Sequence, residues 1–250
     1  MAQSPAKRDE IATPEHLGEP LSDRFSSRRE EILVRAAQLF AEHGYSNCDT
    51  QLLAESIGVG KGTVYRYFSS KRELFLAAAD RVMRMLREHV EARIGDEQDP
   101  LERIRRGIGG FLAFFAEHPG FVELLMQERA QFKDRTRPTF IEHRQVNVAR
   151  WRDLYRSLIC DGRVRDIPVE RITDVVGNLL YGTIFTNYFS GSTKSPEDQA
   201  QDILDVVFNG ILTASERQQQ SIRRQSEINA PECEPHPAPR ALASEGETSA

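Results

Sequence analysis

Apolar residues recur through most of the chain at intervals of three and four positions, which is the spacing of one face of an α-helix. Ile32, Ala36 and Leu39 form the first such stripe, and further stripes follow up to about residue 211. No stretch of useful length alternates between apolar and polar residues, as a half-buried β-strand would. The pattern predicts an all-α fold of about nine helices.

Capping signals give the limits of these helices. Ser70 and Glu73 have the spacing of a capping box, and Asp99 precedes a proline at the first helical position of another helix. The first helix is predicted to end in a turn around Gly44, and the last one near Gln218. The later helices are predicted to begin at four prolines, Pro119, Pro138, Pro168 and Pro196.

The two ends of the chain are polar. Residues 1–23 contain three prolines and residues 218–250 contain four, with few apolar residues among them. Such segments bury too little apolar surface to offset the entropy of ordering. We expect both ends to be disordered, which leaves residues 24–217 to fold.

Two short predicted helices in the N-terminal part are joined by a tight turn through residues 58–60, Gly-Val-Gly. A glycine-containing turn of this length between two short helices is the expected form of a helix-turn-helix. When Val64 faces inward, the opposite side of the second helix offers donors to phosphates and to base edges. That side carries Gly62, Thr63, Tyr65 and Arg66.

The net charge changes this interpretation only when it is counted by segment. The whole chain has 33 basic and 38 acidic residues, a net charge of −5, which argues against a nucleic-acid-binding protein. Residues 61–87, however, contain seven basic residues and two acidic ones, and Arg24, Arg28 and Arg29 flank the first helix. This surplus favours a local DNA-binding surface. On charge alone, a helix face that is simply solvated explains it equally well.

Other classes of protein find little support in the sequence. The three cysteines contain no Cys-x-x-Cys pair, and the six histidines never occur at ligand spacing, so we expect no metal site. Residues 58–63 lack the Gly-Lys-Ser/Thr of a phosphate loop. No strand precedes the glycines at 107–110, which helix packing explains better than a dinucleotide fingerprint does. We expect no cofactor and no enzymatic activity.

Nothing in the sequence indicates a membrane protein. The longest apolar run, residues 111–116, is far too short to span a bilayer, and the N-terminal residues lack the apolar core of a signal peptide. We expect an intracellular, cytoplasmic protein without a membrane partner.

Residues 28–75, RREEILVRAAQLFAEHGYSNCDTQLLAESIGVGKGTVYRYFSSKRELF, closely resemble the DNA-binding domain of TetR-type (TetR/AcrR-like) transcriptional regulators. The matching features are the first apolar stripe, the His-Gly-Tyr turn, the Gly-Val turn, and GTVYRYF followed by Ser-Lys. The resemblance implies a three-helix DNA-binding domain at 24–75 and a helical effector-binding and dimerisation domain at 76–217. It also implies no enzymatic role.

The resemblance assigns DNA contacts to particular residues. Thr50 and Gln51, at the start of helix two, are expected to contact the DNA backbone and bases, and Tyr67 and Lys71 are expected to hold phosphates. Many members have threonine at the position of Cys48, so here Asp49 or Cys48 must cap helix two. The residues that would enter the major groove are Lys61, Gly62, Thr63, Tyr65 and Arg66.

The last two predicted helices are apolar on more than one side, which indicates burial in a core or against a partner. The resemblance implies that they build a four-helix interface in a homodimer, with Gly177, Gly182 and Gly210 allowing close approach. Two equal DNA-binding domains on a two-fold axis would bind a palindromic operator on double-stranded DNA.

Aromatic residues and a few polar ones share helix faces between these regions, as in small-molecule sites. We therefore predict a repressor that a small hydrophobic or amphipathic effector releases from DNA. The alternative for each residue is an ordinary core position, and the alternative for the chain is a ligand-binding or adaptor protein whose DNA binding has lapsed. The candidate effector residues are Phe111, Phe115, His143, Asn147, Trp151, Asn178 and Tyr181.

Overall fold

The computed structural model describes residues 21–192, 194–210 and 218. Within these residues the chain forms nine helices and no strand, so the predicted all-α class is confirmed. Most of the two predicted disordered ends lies outside the described residues, as do residues 211–217 before the predicted end of the last helix. Residues 21–23, which were predicted to be disordered, instead begin α1. The helices are α1 (Leu21–Asn47), α2 (Thr50–Ser56), α3 (Lys61–Tyr67), α4 (Lys71–Ile94), α5 (Pro100–Glu117), α6 (Gly120–Gln131), α7 (Thr139–Cys160), α8 (Val169–Ser190) and α9 (Pro196–Asn209).

Side-chain caps begin three of these helices. Asp49, Ser70 and Asp99 each accept a hydrogen bond from a backbone N–H in the first turn of α2, α4 and α5 respectively. Glu73 completes the cap of α4, although it accepts from the N–H and hydroxyl of Ser69 rather than from Ser70. These bonds satisfy donors that have no partner within the helix. The capping signals at Ser70 and Asp99 therefore located the starts of α4 and α5 correctly, and of the two candidate caps for helix two it is Asp49 that caps α2.

The turn expected around Gly44 is a kink inside α1. Gly44 has φ 78° and ψ 157°, so two helical segments meet there and the second continues to Asn47. A residue with a side chain rarely adopts this φ, and glycine adopts it without strain. The kink lets the end of α1 turn towards α2 without a separate loop.

Four aromatic rings join the N-terminal helices to the rest of the fold. Phe40 of α1 and Phe75 of α4 pack edge to face with ring centroids 5.0 Å apart. Tyr45 and Phe132 complete the cluster at 5.0 to 5.4 Å, a geometry that aromatic pairs prefer. Helix α4 packs against both α1 and α5.

Two glycines of α5 permit close helix packing. A Cβ at Gly107 would lie 2.4 Å from Cη2 of Trp151 in α7, and a Cβ at Gly110 would lie 3.2 Å from Cβ of Arg93 in α4. A Cβ contact as short as 2.4 Å does not occur in real proteins, and one of 3.2 Å would require Arg93 to shift. Gly107 and Gly110 thus serve helix packing, as predicted.

The chain divides into two compact units, residues 1–207 and 208–250, and the structure describes only 208–210 and 218 of the second. The predicted boundary between the DNA-binding and effector domains, at residues 75 and 76, falls within α4. No single helix among the described residues is long and apolar enough to cross a membrane. Only α5 and α6 together meet that length and composition, and they are bent by 86° at the break between them.

Candidate DNA interface and effector cavity

Helices α2 and α3 have the geometry of a helix-turn-helix. The turn between them contains Gly58 at φ 66°, and the N–H of Val59 donates to the carbonyl of Ala54 at 2.9 Å. Leu53 of α2 and Val64 of α3 are both buried against the other helices. Because Val64 faces inward, the opposite face of α3 is turned to solvent.

The five residues predicted to enter the major groove lie on α3 as expected. Thr63 is half-buried and the other four are exposed, and a Cβ at Gly62 would meet no atom within 4 Å. The exposed four are Lys61, Gly62, Tyr65 and Arg66. A helix face with an open glycine and several donors is able to approach DNA closely.

The first two predicted contacts, on α2, have different surroundings. Thr50 is buried, 4% exposed, and its hydroxyl lies 3.1 Å from the hydroxyl of Tyr65. Gln51 is exposed and donates to Glu55 at 2.7 Å. Thr50 is therefore placed to orient Tyr65, whereas Gln51 remains accessible at the start of α2.

The structure settles which residue caps α2. Asp49 accepts from the N–H of Gln51 at 3.0 Å and lies 3.2 Å from Nζ of Lys61, and these two hydrogen bonds hold the pKa of the Asp49 carboxyl below its usual value. Cys48 is buried, which raises the pKa of its thiol. Asp49 is thus the cap, and Lys61 has a carboxylate partner that a DNA phosphate would have to replace.

The two predicted phosphate-binding residues, Tyr67 at the end of α3 and Lys71 at the start of α4, both contact α1. The ring of Tyr67 stacks on Phe25 with centroids 4.3 Å apart. Lys71 donates to the carbonyl of Ser46 at 3.2 Å, and its Nζ lies 4.8 Å from the ring centroid of Tyr45. Lys71 is also the first residue of α4, where the helix dipole adds to its positive charge.

Most of the basic residues in 61–87 pair with acidic side chains from elsewhere in the fold. Arg72 pairs with Asp134, while Arg81 and Arg84 both pair with Glu30 of α1. Of the flanking arginines, Arg28 donates to the carbonyl of Ile57 and pairs with Glu31, and Arg29 lies over the ring of Phe68. The segment count therefore overstated the free positive charge, because it could not include acidic partners from distant positions.

A cavity of about 250 Å³ lies between α4, α5, α7 and α8. Its walls are mostly apolar, and four of the seven predicted effector residues line it, Phe111, Asn147, Trp151 and Tyr181. The rings of Phe111 and Tyr181 pack 5.4 Å apart across two helices. Asn147 and Trp151, which share the predicted face of α7, thus lie in one wall of the cavity.

The other three predicted effector residues do not line the cavity. Phe115 is buried in the core, 4% exposed, against Phe114. His143 points to α4, where its Nε2 lies 2.7 Å from Oδ1 of Asp80. Asn178 is exposed and accepts a hydrogen bond from Arg144 at 2.9 Å. His143 and Asn178 find their partners on other helices, which periodicity on a single helix does not show.

Several cavity residues were not predicted. Arg87, Arg144 and Arg150 all line it. An apolar stripe does not predict them, because charged residues do not belong to such a stripe. Tyr155 lies one turn beyond Trp151 on the predicted face of α7, so the same stripe would have found it. It is 3% exposed, burial raises its pKa to about 12, and its hydroxyl has no hydrogen-bond partner among the described residues.

A chain of polar contacts connects α7, which lines the cavity, to the N-terminal helix α1. His143 of α7 contacts one oxygen of Asp80, and Arg84 contacts the other oxygen. Arg84 also reaches Glu30 of α1 at 3.6 Å. Three helices, α7, α4 and α1, are thereby linked through two residues of α4.

Comparison with known proteins identifies the family. Residues 32–78 match the model described as bacterial regulatory proteins, tetR family, and residues 97–211 match the tetracyclin repressor-like C-terminal domain. Together these matches take in well over half of the chain. The chain belongs to the TetR family. TetR-family proteins are DNA-binding transcriptional regulators rather than enzymes.

Two curated relatives show the range of functions in the family. Nucleoid occlusion factor SlmA of Vibrio vulnificus is 33% identical over 162 residues, 62% of this chain and 83% of that protein. The HTH-type transcriptional repressor KstR2 of Mycobacterium tuberculosis is 28% identical over 200 residues, 76% of this chain and 96% of that protein.

Solved structures share the TetR fold. The transcriptional regulator FadR from Bacillus subtilis, in complex with stearoyl-CoA, has a TM-score of 0.63 at 17% identity and covers 73% of this chain and 98% of its own. KstR2 of Mycobacterium tuberculosis has a TM-score of 0.53 at 23% identity, with 74% and 95% covered. At these identities the likeness shows the fold alone.

Proposed function

We propose that this protein is a homodimeric repressor that binds a palindromic operator and leaves it when a small amphipathic effector enters the cavity. The observation that supports this most directly is the course of α4. Its first residue, Lys71, follows α3 by four residues, and its residues Met83, Leu86 and Val90 line the cavity. A change at the cavity wall is therefore carried by the helix that begins at the DNA-binding face.

In this proposal α3 enters the major groove. Thr63, Tyr65 and Arg66 contact base edges, Gly62 allows the backbone to approach, and Lys61 exchanges Asp49 for a phosphate. Tyr67, Lys71 and Gln51 fix the register on the backbone, and Thr50 holds the hydroxyl of Tyr65. Of the cations on this face, Arg66 has no ion-pair partner among the described residues, which favours it as the main source of sequence preference.

The exposed face of α8 supports the proposed dimer. Val175, Leu179 and Phe189 are 52%, 40% and 71% exposed, and Gly182 lies between them with open space at its Cβ position. Val206 of α9 is 50% exposed. Apolar residues exposed along one helix face are typical of a surface that a partner covers. Gly177 does not contribute to close approach here, because the guanidinium of Arg144 covers it.

The proposed release acts through the chain of polar contacts between α7, α4 and α1. An effector shifts the protein away from DNA only if it binds the DNA-incompetent shape more tightly. Residues Arg144, Asn147 and Trp151 of α7 line the cavity, and His143 precedes them. A ligand that displaces α7 would strain the contact of His143 with Asp80, and with it the link from α4 to Glu30. The matched family is one of bacterial regulatory proteins, whose DNA lies in the cytoplasm, so the proposal includes a cytoplasmic location.

A second candidate follows from the identity to SlmA, namely a DNA-bound factor in nucleoid occlusion that no small molecule releases. Selection of duplexes from a random pool, followed by fluorescence anisotropy at two salt concentrations, tests the DNA-binding part common to both. We expect a palindromic motif and affinity that falls steeply with salt. Arg66→Ala should lose the motif, whereas Arg105→Ala on α5 should keep it. Absence of salt-dependent binding would favour an adaptor whose DNA binding has lapsed.

A further inference from the structure

The cavity between α4, α5, α7 and α8 has three arginines at its walls, and their partners differ. Arg150 lies 3.1 Å from Glu91, and Arg144 lies 3.7 Å from Asp174. Arg87 has no hydrogen-bond or ion-pair partner among the described residues, although it lines the same cavity. Arg87 is exposed, so the apolar site is bordered by one solvated, unpaired positive charge, and that charge is suited to an anionic group of a ligand.

A second polar group lies in the wall without a partner. The hydroxyl of Tyr155 is buried, and it neither donates nor accepts a hydrogen bond among the described residues. Buried polar groups in proteins are nearly always satisfied, so an unsatisfied one requires an explanation. An oxygen of a bound ligand would supply the missing acceptor.

The dimensions of the cavity limit the ligand. A cavity of about 150 Å³ holds benzene, so the present 250 Å³ accommodates roughly ten non-hydrogen atoms in proportion. The α7 residues that line it extend from Arg144 to Tyr155, which is about 16 Å along a helix. Between these ends the wall is formed by Trp151, Phe111 and Tyr181. A slender molecule fits this shape better than a compact one.

We propose that the effector is a slender apolar acid whose anionic group pairs with Arg87 and which also presents a hydrogen-bond acceptor to the hydroxyl of Tyr155. This inference rests on the proposed function, since it takes the cavity to be the effector site. It assigns the charge of the ligand, its length and the position of its second polar atom.

Trp151 makes the inference directly testable, because it is the single tryptophan of the chain and lines the cavity. Its emission is followed while the full-length protein is titrated with octanoate, octan-1-ol and octylamine, which differ in the charge of one end. We expect octanoate to bind up to about fivefold more tightly than the alcohol, the upper end of the range for one exposed ion pair. The amine should bind more weakly still.

Two variants assign the contacts. Arg87→Gln should remove the preference for octanoate over octan-1-ol, whereas Arg105→Gln, outside the cavity on α5, should leave it unchanged. Tyr155→Phe removes only the hydroxyl, so it should weaken binding of the octanoate analogue with a terminal methyl ketone by about two- to tenfold. Its affinity for octanoate itself should not change. Circular dichroism on each variant verifies the helical fold.

Equal binding of the three probes, or a preference that survives Arg87→Gln, would overturn the assignment of an anionic ligand. Unchanged affinity of Tyr155→Phe for the ketone would overturn the role of the hydroxyl. If no probe alters Trp151 emission, the proposed ligand class is wrong. Operator binding by the same preparation, measured without any ligand, tests the proposed function separately from these results.

Discussion

Substitution of Gly107 by alanine tests the packing that shapes the cavity. The new Cβ would lie 2.4 Å from Cη2 of Trp151 and 3.1 Å from Cζ2, whereas carbon atoms in contact are about 3.5–4.0 Å apart. The indole must therefore move by about 1–1.5 Å, and the space available to it is the cavity. Overpacking of this kind costs about 1–3 kcal/mol of the free energy of unfolding.

Gly109 provides the matched control two residues further along α5. A Cβ there would meet no atom within 4 Å. Replacement of glycine by alanine in a helix interior stabilises by up to about 1 kcal/mol, and this gain applies to both sites. The difference between the two variants therefore isolates the clash with Trp151, and we expect Gly107→Ala to be less stable than Gly109→Ala by about 1–3 kcal/mol.

Urea unfolding of both variants measures this difference, and the emission maximum of Trp151 reports the displaced indole. Only Gly107→Ala should change the emission and weaken binding of octanoate. If both variants gain the same stability and both leave the emission unchanged, Trp151 does not pack on α5 as described here, and the cavity has a different shape.

Four further predictions concern the DNA-binding face and its link to the cavity. Arg66→Ala should reduce discrimination between the selected duplex and a mismatched one by about 1–3 kcal/mol, and an unchanged motif after a second selection would remove it from base contact. Lys71→Ala should weaken binding to all DNA sequences alike and reduce the steepness of log affinity against log salt by about one unit. An unchanged slope would exclude a phosphate contact by Lys71. Asp49→Asn retains a good helix cap, frees Lys61 and removes a negative charge near the phosphates, so DNA affinity should rise at low salt. A fall in DNA affinity would contradict the ion pair of Asp49 with Lys61. His143→Gln should leave ligand binding by Trp151 emission intact while reducing the effect of ligand on operator affinity, and full retention of that effect would exclude His143 from the coupling.

Local signals in the sequence predicted the helix starts and the recognition helix well. Asp49, Ser70 and Asp99 cap their helices through bonds to residues two or three positions away, so the information is contained in a short stretch. The exposed face of α3 follows from the burial of Val64 alone. The glycines of α5 were also interpreted correctly as packing residues, although the identity of their partner, Trp151, required the structure.

The electrostatic predictions were weaker because their partners are distant in sequence. Glu30 pairs with Arg81 and Arg84, which lie more than fifty positions away in the sequence, and Asp80 contacts His143, which lies sixty-three positions away. A helical stripe assigns a face to each residue but not the helix that it meets. For the same reason the unpaired charge of Arg87 at the cavity became visible only when four helices were assembled.

The central claim is that α3 reads a DNA sequence, and one comparison tests it most directly. The affinity of the full-length protein for its selected duplex is measured against a duplex of scrambled sequence and equal length, at physiological salt. We predict a preference of at least about a thousandfold, as is typical of specific regulators, that is reduced in Arg66→Ala and unchanged in Arg105→Ala. Equal affinity for the two duplexes would contradict the account.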